Sequence, residues 1–404
     1  MNNRSYAHIV VGGGISGLSA AHYAAAAGTD TLVLEGNRRV GGCIHTLAFP
    51  ELDGFWVEAG SHSCFNSYGN LLNVMESLGL LTRATPKSKQ GYRLWRDGER
   101  RSILSALHLP ELAFSLPKLL TTSKSGSSVA EYYGRCLGER NYQDLFGPAF
   151  RSVLCQSADE FPADTLFRKK PRRKDVLRSF TMPNGLSDIA AGIANGSGVE
   201  IAYEQRARHI ESSNGGYIVH TEQGGSHHCD RLTLAVPPDA AAGLLADVAP
   251  DAARAVGRIG MAEIDTLVLA FRKEDLSVAE MAGLISVDGS FLSAVSRDFM
   301  EDPRFRGIAF HFPGGQLDET GRVGAACEAL GVWPEKIAAT AHVRNRLPSL
   351  RKGHQALIAE LDRALTAQPL AVTGNWFLGV SIEDCVSRSL SEHERLFGAR
   401  QAPA

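Results

Sequence analysis

The stretch Ile9-Val10-Val11-Gly12-Gly13-Gly14-Ile15-Ser16-Gly17-Leu18 decides the fold. Its apolar start reads as a buried strand, and glycines at 12, 14 and 17 form a G-x-G-x-x-G turn. The alanine-rich run Leu18–Ala27 reads as a helix that Gly28 can close as a C-cap. Each glycine has its own task. Gly12 permits the tight turn, Gly14 lets backbone N–H groups approach a pyrophosphate, and Gly17 lets helix pack on strand. Ile15 and Ser16 open the helix, whose positive dipole end then faces the phosphates. A second strand, Thr31-Leu32-Val33-Leu34, ends on Glu35, 18 residues past Gly17, where a carboxylate can accept both ribose hydroxyls. Strand, turn, helix, strand and acid in that order predict a Rossmann-like dinucleotide site.

Downstream, Arg39-Val40-Gly41-Gly42 adds a second glycine pair, followed by Cys43-Ile44-His45-Thr46. Backbone can approach the cofactor again there, beyond the adenosine half. A dehydrogenase using only a nicotinamide has no need of that, so the dinucleotide favoured is FAD.

The remaining composition sets bounds. The 404 residues suggest two or three domains at about 150 residues each. With 44% hydrophobic and 21% charged residues, the chain has ample core material. Lys+Arg total 42 against Asp+Glu at 44, a net charge of -2, which argues against a nucleic-acid binder relying on phosphate neutralisation. The seven cysteines are odd in number and lack a CxxC pair, and the 13 histidines lack an HExxH spacing. Neither a disulfide framework nor a metal site is expected. No secretory signal and no apolar run of roughly 18 residues is evident, so the expected location is cytoplasmic.

The chemistry-bearing segments lie far apart. We expect an α/β fold whose FAD-binding domain is assembled from residues 1–70, 184–250 and 355–404. Residues 71–183 then form a helical substrate insert, with helices at Leu71–Leu81 and Val129–Leu137. Residues 251–354 form a β-rich insert with a strand at Thr266–Phe271 and a helix near Val323–Leu330. Asn214-Gly215 is a hairpin signal within the FAD segments. Near the C-terminus, Ser381-Ile382-Glu383-Asp384 has the form of a capping box, so a helix should begin just after Ser381. Its free N–H groups could stabilise negative charge on the N1/O2 edge of a reduced flavin, with Trp376 and Phe377 walling the ring.

Taken together, these stretches resemble the flavin amine oxidase superfamily, and within it the protoporphyrinogen oxidase family. Residues 9–18 are similar to that family's opening, and Arg39–Thr46 to its second glycine motif. Glu58-Ala59-Gly60-Ser61 resembles its E-x-G-P element, with Ser61 in place of proline. Pro183-Asn184-Gly185-Leu186, Leu234-Ala235-Val236-Pro237 and Pro348–His354 resemble further motifs, the last with Leu350 where a tyrosine would stand. Gly374-Asn375-Trp376-Phe377-Leu378-Gly379-Val380-Ser381-Ile382-Glu383-Asp384-Cys385 is similar to the C-terminal signature almost position by position.

The resemblance implies non-covalent FAD held by Gly12, Gly14, Ile15, Ser16, Gly17, Glu35, Arg39, Gly41, Gly42, Gly60, Ser61, Ala207, Pro237, Gly374, Asn375, Val380, Ser381 and Ile382. It implies hydride transfer from a porphyrinogen to flavin N5 with dioxygen or a quinone as acceptor, no side chain acting as catalyst. His45, His62, Arg83, Arg93, Trp376 and Phe377 are the pocket candidates, the arginines for substrate carboxylates. Amine oxidases carry an arginine where Cys43 stands, and a lysine on the strand equivalent to Ile264–Phe271 that reaches N5 through water. No lysine occurs there before Lys273, which disfavours amine oxidation. Oxidation of an amine or a partly reduced heterocycle stays open, as do the non-redox roles of Rab GDP-dissociation inhibitors and UDP-galactopyranose mutases, which resemble this fold. The basic run Arg168-Lys169-Lys170-Pro171-Arg172-Arg173-Lys174, with Arg178, could meet anionic lipid at a membrane face, meet substrate carboxylates, or be a solvated loop.

Overall fold

The computed structural model describes residues 4–398. Residues 1–3 and 399–404, expected in the FAD-binding domain, lie outside the described residues. The glycine turn sits in a seven-stranded sheet, in the order Glu200–Ala202, Thr31–Leu34, Ser5–Val11, Ser226–Leu234, Gly216–Thr221, Ala207–Ser213. Leu370–Val372 pairs in parallel with the end of Ser226–Leu234, beside the parallel pairs that Ser5–Val11 makes on both sides. These central strands are buried on both faces, which is why they read as continuous apolar runs rather than alternating ones. Ser213 pairs with Gly216 across Asn214 and Gly215, both at positive φ, which gives the hairpin expected there.

The helix Ile15–Ala26 packs against the C-terminal helix Ile382–Phe397, where Ser389 Oγ donates to the carbonyl of Ser16 at 2.8 Å. Gly28, at φ 81°, closes the first helix as expected. The helix expected over Leu71–Leu81 is shorter, Gly69–Ser77. Gly79 takes a left-handed conformation and the N–H of Leu80 turns back to the Met75 carbonyl, which ends the helix early. Val129–Leu137 forms as read, and Glu319–Leu330 extends the helix expected near Val323–Leu330.

A second seven-stranded sheet runs Ile337–Ser349, Gly260–Arg272, Phe305–Pro313, Ser293–Ser296, Gly283–Ser286, Tyr92–Arg96, Glu99–Ser102. The segment 71–183, expected to be a helical insert, thus gives this sheet its last two strands. Tyr92–Arg96 enters by parallel pairing with Gly283–Ser286, a long-range contact that no local pattern announces. The hairpin of Thr46–Phe49 and Phe55–Glu58 ties the two halves together, packing Phe55 and Val57 against Val268 and Ala270 of the second sheet. Among the described residues no helix is long and apolar enough to cross a membrane.

Candidate active site

Gly12, Gly14 and Gly17 have three different surroundings. A Cβ on Gly12 would lie 2.5 Å from the Ala235 carbonyl oxygen, and one on Gly17 would lie 1.8 Å from the Gly12 oxygen. Those two glycines are required by the protein itself. A Cβ on Gly14 would meet nothing nearer than Gly42 Cα, at 3.8 Å. The space above Gly14 is left open between the two glycine loops, which meet at a bridge between Gly14 and Gly41. No side chain caps the helix that starts at Ile15, and its first turn holds no acid. Its first N–H groups therefore face an open cradle, which fits the pyrophosphate of a dinucleotide.

Glu35 is buried, and its carboxylate accepts from the N–H of Gly13 at 2.7 Å and from the backbone and side chain of Asn37 at 2.8 Å. It pins the turn as well as standing at the strand end. Arg39 donates to the carbonyls of Val40, Gly42 and Ile44, so its guanidinium braces the second glycine loop from within. Ala207 stands two residues after Gln205, whose N–H donates to the Glu35 carbonyl, and Pro237 precedes the helix Pro238–Leu245. The N–H of Ser61 donates to the Cys43 carbonyl at 3.0 Å, and a Cβ on Gly60 would lie 2.1 Å from that oxygen. Gly60 lets these two stretches run side by side into the cavity beyond.

That cavity measures about 710 Å³, within the roughly 300–1,000 Å³ usual for small-molecule sites. Its floor comes from the FAD segments: Cys43, Gly60, Ser61, Asn375, Val380 and Ile382. The second sheet supplies one wall through Ile264, Leu284, Val295, His311, Asn345 and Leu347, and the first insert faces it with Ala149, Val153, Cys155 and Phe167. Phe65, Tyr92, Val153 and Phe167 are exposed apolar side chains that also line the cavity, so its rim is apolar.

At one end the C-terminal helix begins at Ile382, with Ser381 and Asp384 closing the capping box expected from sequence. Lys170 lies across this helix start and donates to Asp384 Oδ1 at 2.7 Å and to Ser381 Oγ at 3.2 Å. Arg168, also on the lining, donates to the Leu378 carbonyl. Two members of the basic run thus border the cavity, and Arg173 pairs with Glu76 and Asp175 away from it. Asp384, held by Lys170, is the one carboxylate on the lining among the described residues.

The histidines on the lining are kept neutral. Burial, then the charge of Lys87, pushes His62 down to about 3, and burial pushes His311 down to about 4. His311 Nδ1 shares a hydrogen bond with Thr266 Oγ1, which also accepts from Asn345 Nδ2.

Several expected pocket residues stand elsewhere. Trp376 is fully buried, stacked on Phe377 with ring centroids 4.0 Å apart, and its Nε1 donates to the Val236 carbonyl. Arg388 covers Phe377 from the other side, so both aromatics are core and neither walls the cavity. A Cβ on Gly374 would meet Trp376 Nε1 at 2.4 Å, so that glycine serves the packing of Trp376. Arg83 is paired with Asp188 on the surface, and Arg93 is exposed on an outer strand beside Tyr92. Neither lines the cavity. His45 lies behind Cys43, its Nδ1 buried without a partner, and is not on the lining either. Of the six, His62 is the one on the lining among the described residues. Sequence reasoning missed Tyr92, Cys155, His311 and Asn345. A signal existed for His311, a polar residue alternating with the core residues Phe310 and Phe312 on one strand.

A glycine cradle open to a dinucleotide, joined to an apolar cavity at a second glycine loop, is the arrangement of a flavin-dependent oxidoreductase. The family model of flavin containing amine oxidoreductases matches residues 15–146 and 137–289, and the chain belongs to that family and uses FAD. The 15-cis-phytoene desaturase of Narcissus pseudonarcissus is 41% identical over 75 residues, 19% of this chain and 13% of the desaturase. Pseudooxynicotine dehydrogenase of a Pseudomonas species is 27% identical over 194 residues, 46% of this chain and 34% of that enzyme. The matches therefore span well under two thirds of these relatives. Among solved structures, a candidate protoporphyrinogen oxidase from Exiguobacterium superposes with TM-score 0.76 at 18% identity, covering 97% of this chain and 98% of the other. Reduced UDP-galactopyranose mutase gives 0.76 at 14% identity, covering 98% and 96%. Putrescine oxidase bound to putrescine gives 0.73 at 14%, covering 98% and 100%. At these identities the likeness shows the fold.

Proposed function

We propose that the chain removes a hydride from a carbon of a large, mostly apolar, reduced ring, with a porphyrinogen as first candidate substrate. The observation that carries this is the cavity: apolar walls and rim, neutral histidines, and a single carboxylate already held by Lys170. A protonated amine entering it would lose its water and find no free anion, which is costly. An uncharged ring system loses little on entry. Arg168 at the edge of the cavity takes the part first given to Arg83 and Arg93, that of meeting substrate carboxylates.

Gly14, Glu35 and Gly42 would hold the dinucleotide end of FAD, and Gly60, Ser61, Asn375 and Val380–Ile382, at the cavity floor, would hold its ring end. When bound, the flavin accepts the hydride and passes two electrons to dioxygen or a quinone. The walls of both halves exclude water and hold the substrate carbon over the ring. The first N–H groups of the C-terminal helix, with Lys170 beside them, offer positive potential at the ring's edge. The linkage proposed is non-covalent, and Cys385 is no attachment point, being buried within the C-terminal helix with its thiol pushed up to about 12 by burial. Acid precipitation should release all the flavin.

The test is anaerobic mixing of the holoenzyme with protoporphyrinogen, coproporphyrinogen and a panel of amines. Flavin bleaching with a porphyrinogen supports the reading, and bleaching with amines alone replaces it by amine oxidation.

A further inference from the structure

Among the described residues Lys87 is the lysine hydrogen-bonded to the His62–Ser63 stretch of the cavity lining. It lies in the loop before the strand Tyr92–Arg96, its ammonium 3.6 Å above the Phe299 ring. From there Nζ donates to the His62 carbonyl at 2.8 Å and to Ser63 Oγ at 2.6 Å. Ser63 Oγ lies 3.2 Å from His62 Nδ1. The imidazole itself is on the cavity lining, and its Nε2 has no partner among the described residues. Amine, hydroxyl and imidazole thus form an unbroken chain from a half-buried lysine to the substrate cavity. Nothing in FAD binding uses this chain.

Its chemistry follows from donor counting. With Lys87 protonated, Nζ donates to Ser63, whose hydroxyl donates to His62 Nδ1, and the ring proton must sit on Nε2. With Lys87 neutral, the chain reverses: His62 Nδ1–H donates to Ser63, Ser63 donates to Nζ, and Nε2 presents a lone pair to the cavity.

We propose that Lys87, acting through Ser63, sets the tautomer of His62 and so makes His62 the acceptor of the proton that a substrate nitrogen loses during hydride removal. This rests on the proposed function only in requiring an N–H bonded to the oxidised carbon, as in an amine, or conjugated with it through the pyrrole ring, as in a porphyrinogen. The balance is direct. The C–H bond breaks and its electron pair leaves with the hydride to the flavin. The nitrogen lone pair is drawn into the new π system, the N–H bond breaks, its proton passes to His62 Nε2, and its electron pair stays on nitrogen. The Nδ1 proton moves to Ser63 and the Ser63 proton moves to Nζ; after product leaves, Nε2 gives its proton to solvent and the relay runs back from Nζ through Ser63 to Nδ1.

The electrostatic setting suits the task. Burial lowers Lys87 to about 8, opposed by Glu58 and Cys64. The groups facing the trio are Glu58 on the strand Phe55–Glu58, Cys64 beside Ser63, and His311 on the strand Phe305–Pro313. Glu58, raised to about 7 by its own burial, is also near Asp188 and Arg297. Cys64 is itself pushed up by burial.

The experiment has two arms on the holoenzyme. In the first, nitrogen-15 NMR of the histidine rings follows His62, assigned by its loss in His62→Gln. The resonance should switch from the Nε2–H to the Nδ1–H pattern as pH rises through about 8. Lys87→Arg should hold the Nε2–H pattern throughout. A single tautomer across that range in the unmodified protein overturns the proposal, whatever the substrate. In the second arm, the rate of anaerobic flavin reduction by protoporphyrinogen should rise through the same pH. Lys87→Arg should slow it by about 100-fold or more, the scale of a lost general base. Lys87→Met and Ser63→Ala should make it independent of pH in that range. A flat profile in the unmodified enzyme with the tautomer switch intact overturns the catalytic role. A switch without any bleaching by porphyrinogens supports the tautomer control and overturns the substrate reading instead.

Discussion

Two helix starts, one at the open glycine cradle and one on the cavity lining, are finished in opposite ways. The helix Ile15–Ala26 begins with Gly14 and has neither a capping side chain nor an acid in its first turn. The C-terminal helix Ile382–Phe397 begins with a Ser381–Asp384 capping box and carries Lys170 on top of it. A bare start offers every free N–H to a ligand with two full negative charges. A capped start has its Asp384 N–H already taken, so it keeps fewer donors but a fixed geometry, with Lys170 set against the Asp384 carboxylate. The first arrangement suits binding an anion that is always charged. The second suits a group whose charge changes during reaction, where a weak and rigid field is enough.

If that contrast is right, damage at the bare start should abolish cofactor binding, and damage at the capped start should leave it. The largest effect is expected from Gly14→Val. The protein leaves the place of a Gly14 side chain open, so the variant should fold but occupy the pyrophosphate's path. It should purify without flavin absorbance, with circular dichroism unchanged. Retention of stoichiometric FAD would break the comparison at its first term.

Glu35→Ala comes next. Each charge-assisted hydrogen bond to the ribose contributes on the order of 1.5–3 kcal/mol, so FAD should bind about 10- to 100-fold more weakly. The carboxylate also holds Gly13, so Glu35→Gln, which can still accept from that N–H, separates turn pinning from ribose binding. Isothermal titration of the apoprotein with FAD measures both variants. Equal loss in the two would assign the effect to charge on the ribose.

The capped start should answer in stability instead. Asp384→Ala removes half of the capping box and leaves Lys170 without its partner, at a cost of about 1–2 kcal/mol. Urea unfolding of the holoenzyme should show the loss, with FAD content at purification unchanged.

The bare start was legible because every part of it is local. Ten residues fix strand, turn and helix through backbone permission alone, and the capping box at Ser381 is local for the same reason. The cavity was not legible, because its walls come from separated segments whose side-chain directions depend on long-range pairing. Tyr92 reaches the lining because its strand joins a sheet built two hundred residues later in the chain. Trp376 and Phe377 sit inside a correctly read motif, yet the turn after Asn375 sends them into the core under Arg388. Glu383 shows the same limit. Within its own helix it is a first-turn acid, but its carboxylate caps another helix, accepting from the N–H groups of Asn70 and Leu71. The basic run at 168–178 stood out by composition, and only tertiary placement shows which two of its members border the cavity.

The smallest effect is expected from Lys170→Met, and it is the finest test of the contrast. Lys170 is partly buried and held by Asp384, so its charge is half cancelled at contact but still lies beside the start of a helix that lines the cavity. If the flavin's N1/O2 edge rests at Ser381 and Ile382, removing the ammonium takes away positive potential where negative charge collects on reduction. The oxidised cofactor, neutral there, loses almost nothing. Binding of FAD should therefore be unchanged, and the two-electron potential should fall by about 10–30 mV, equivalent to roughly 0.5–1.4 kcal/mol. Lys170→Arg should restore most of it. Xanthine–xanthine oxidase titration against a reference dye reads the shift directly. An unchanged potential in Lys170→Met would place the ring's charged edge away from this helix, and the capped start would then be a structural joint alone.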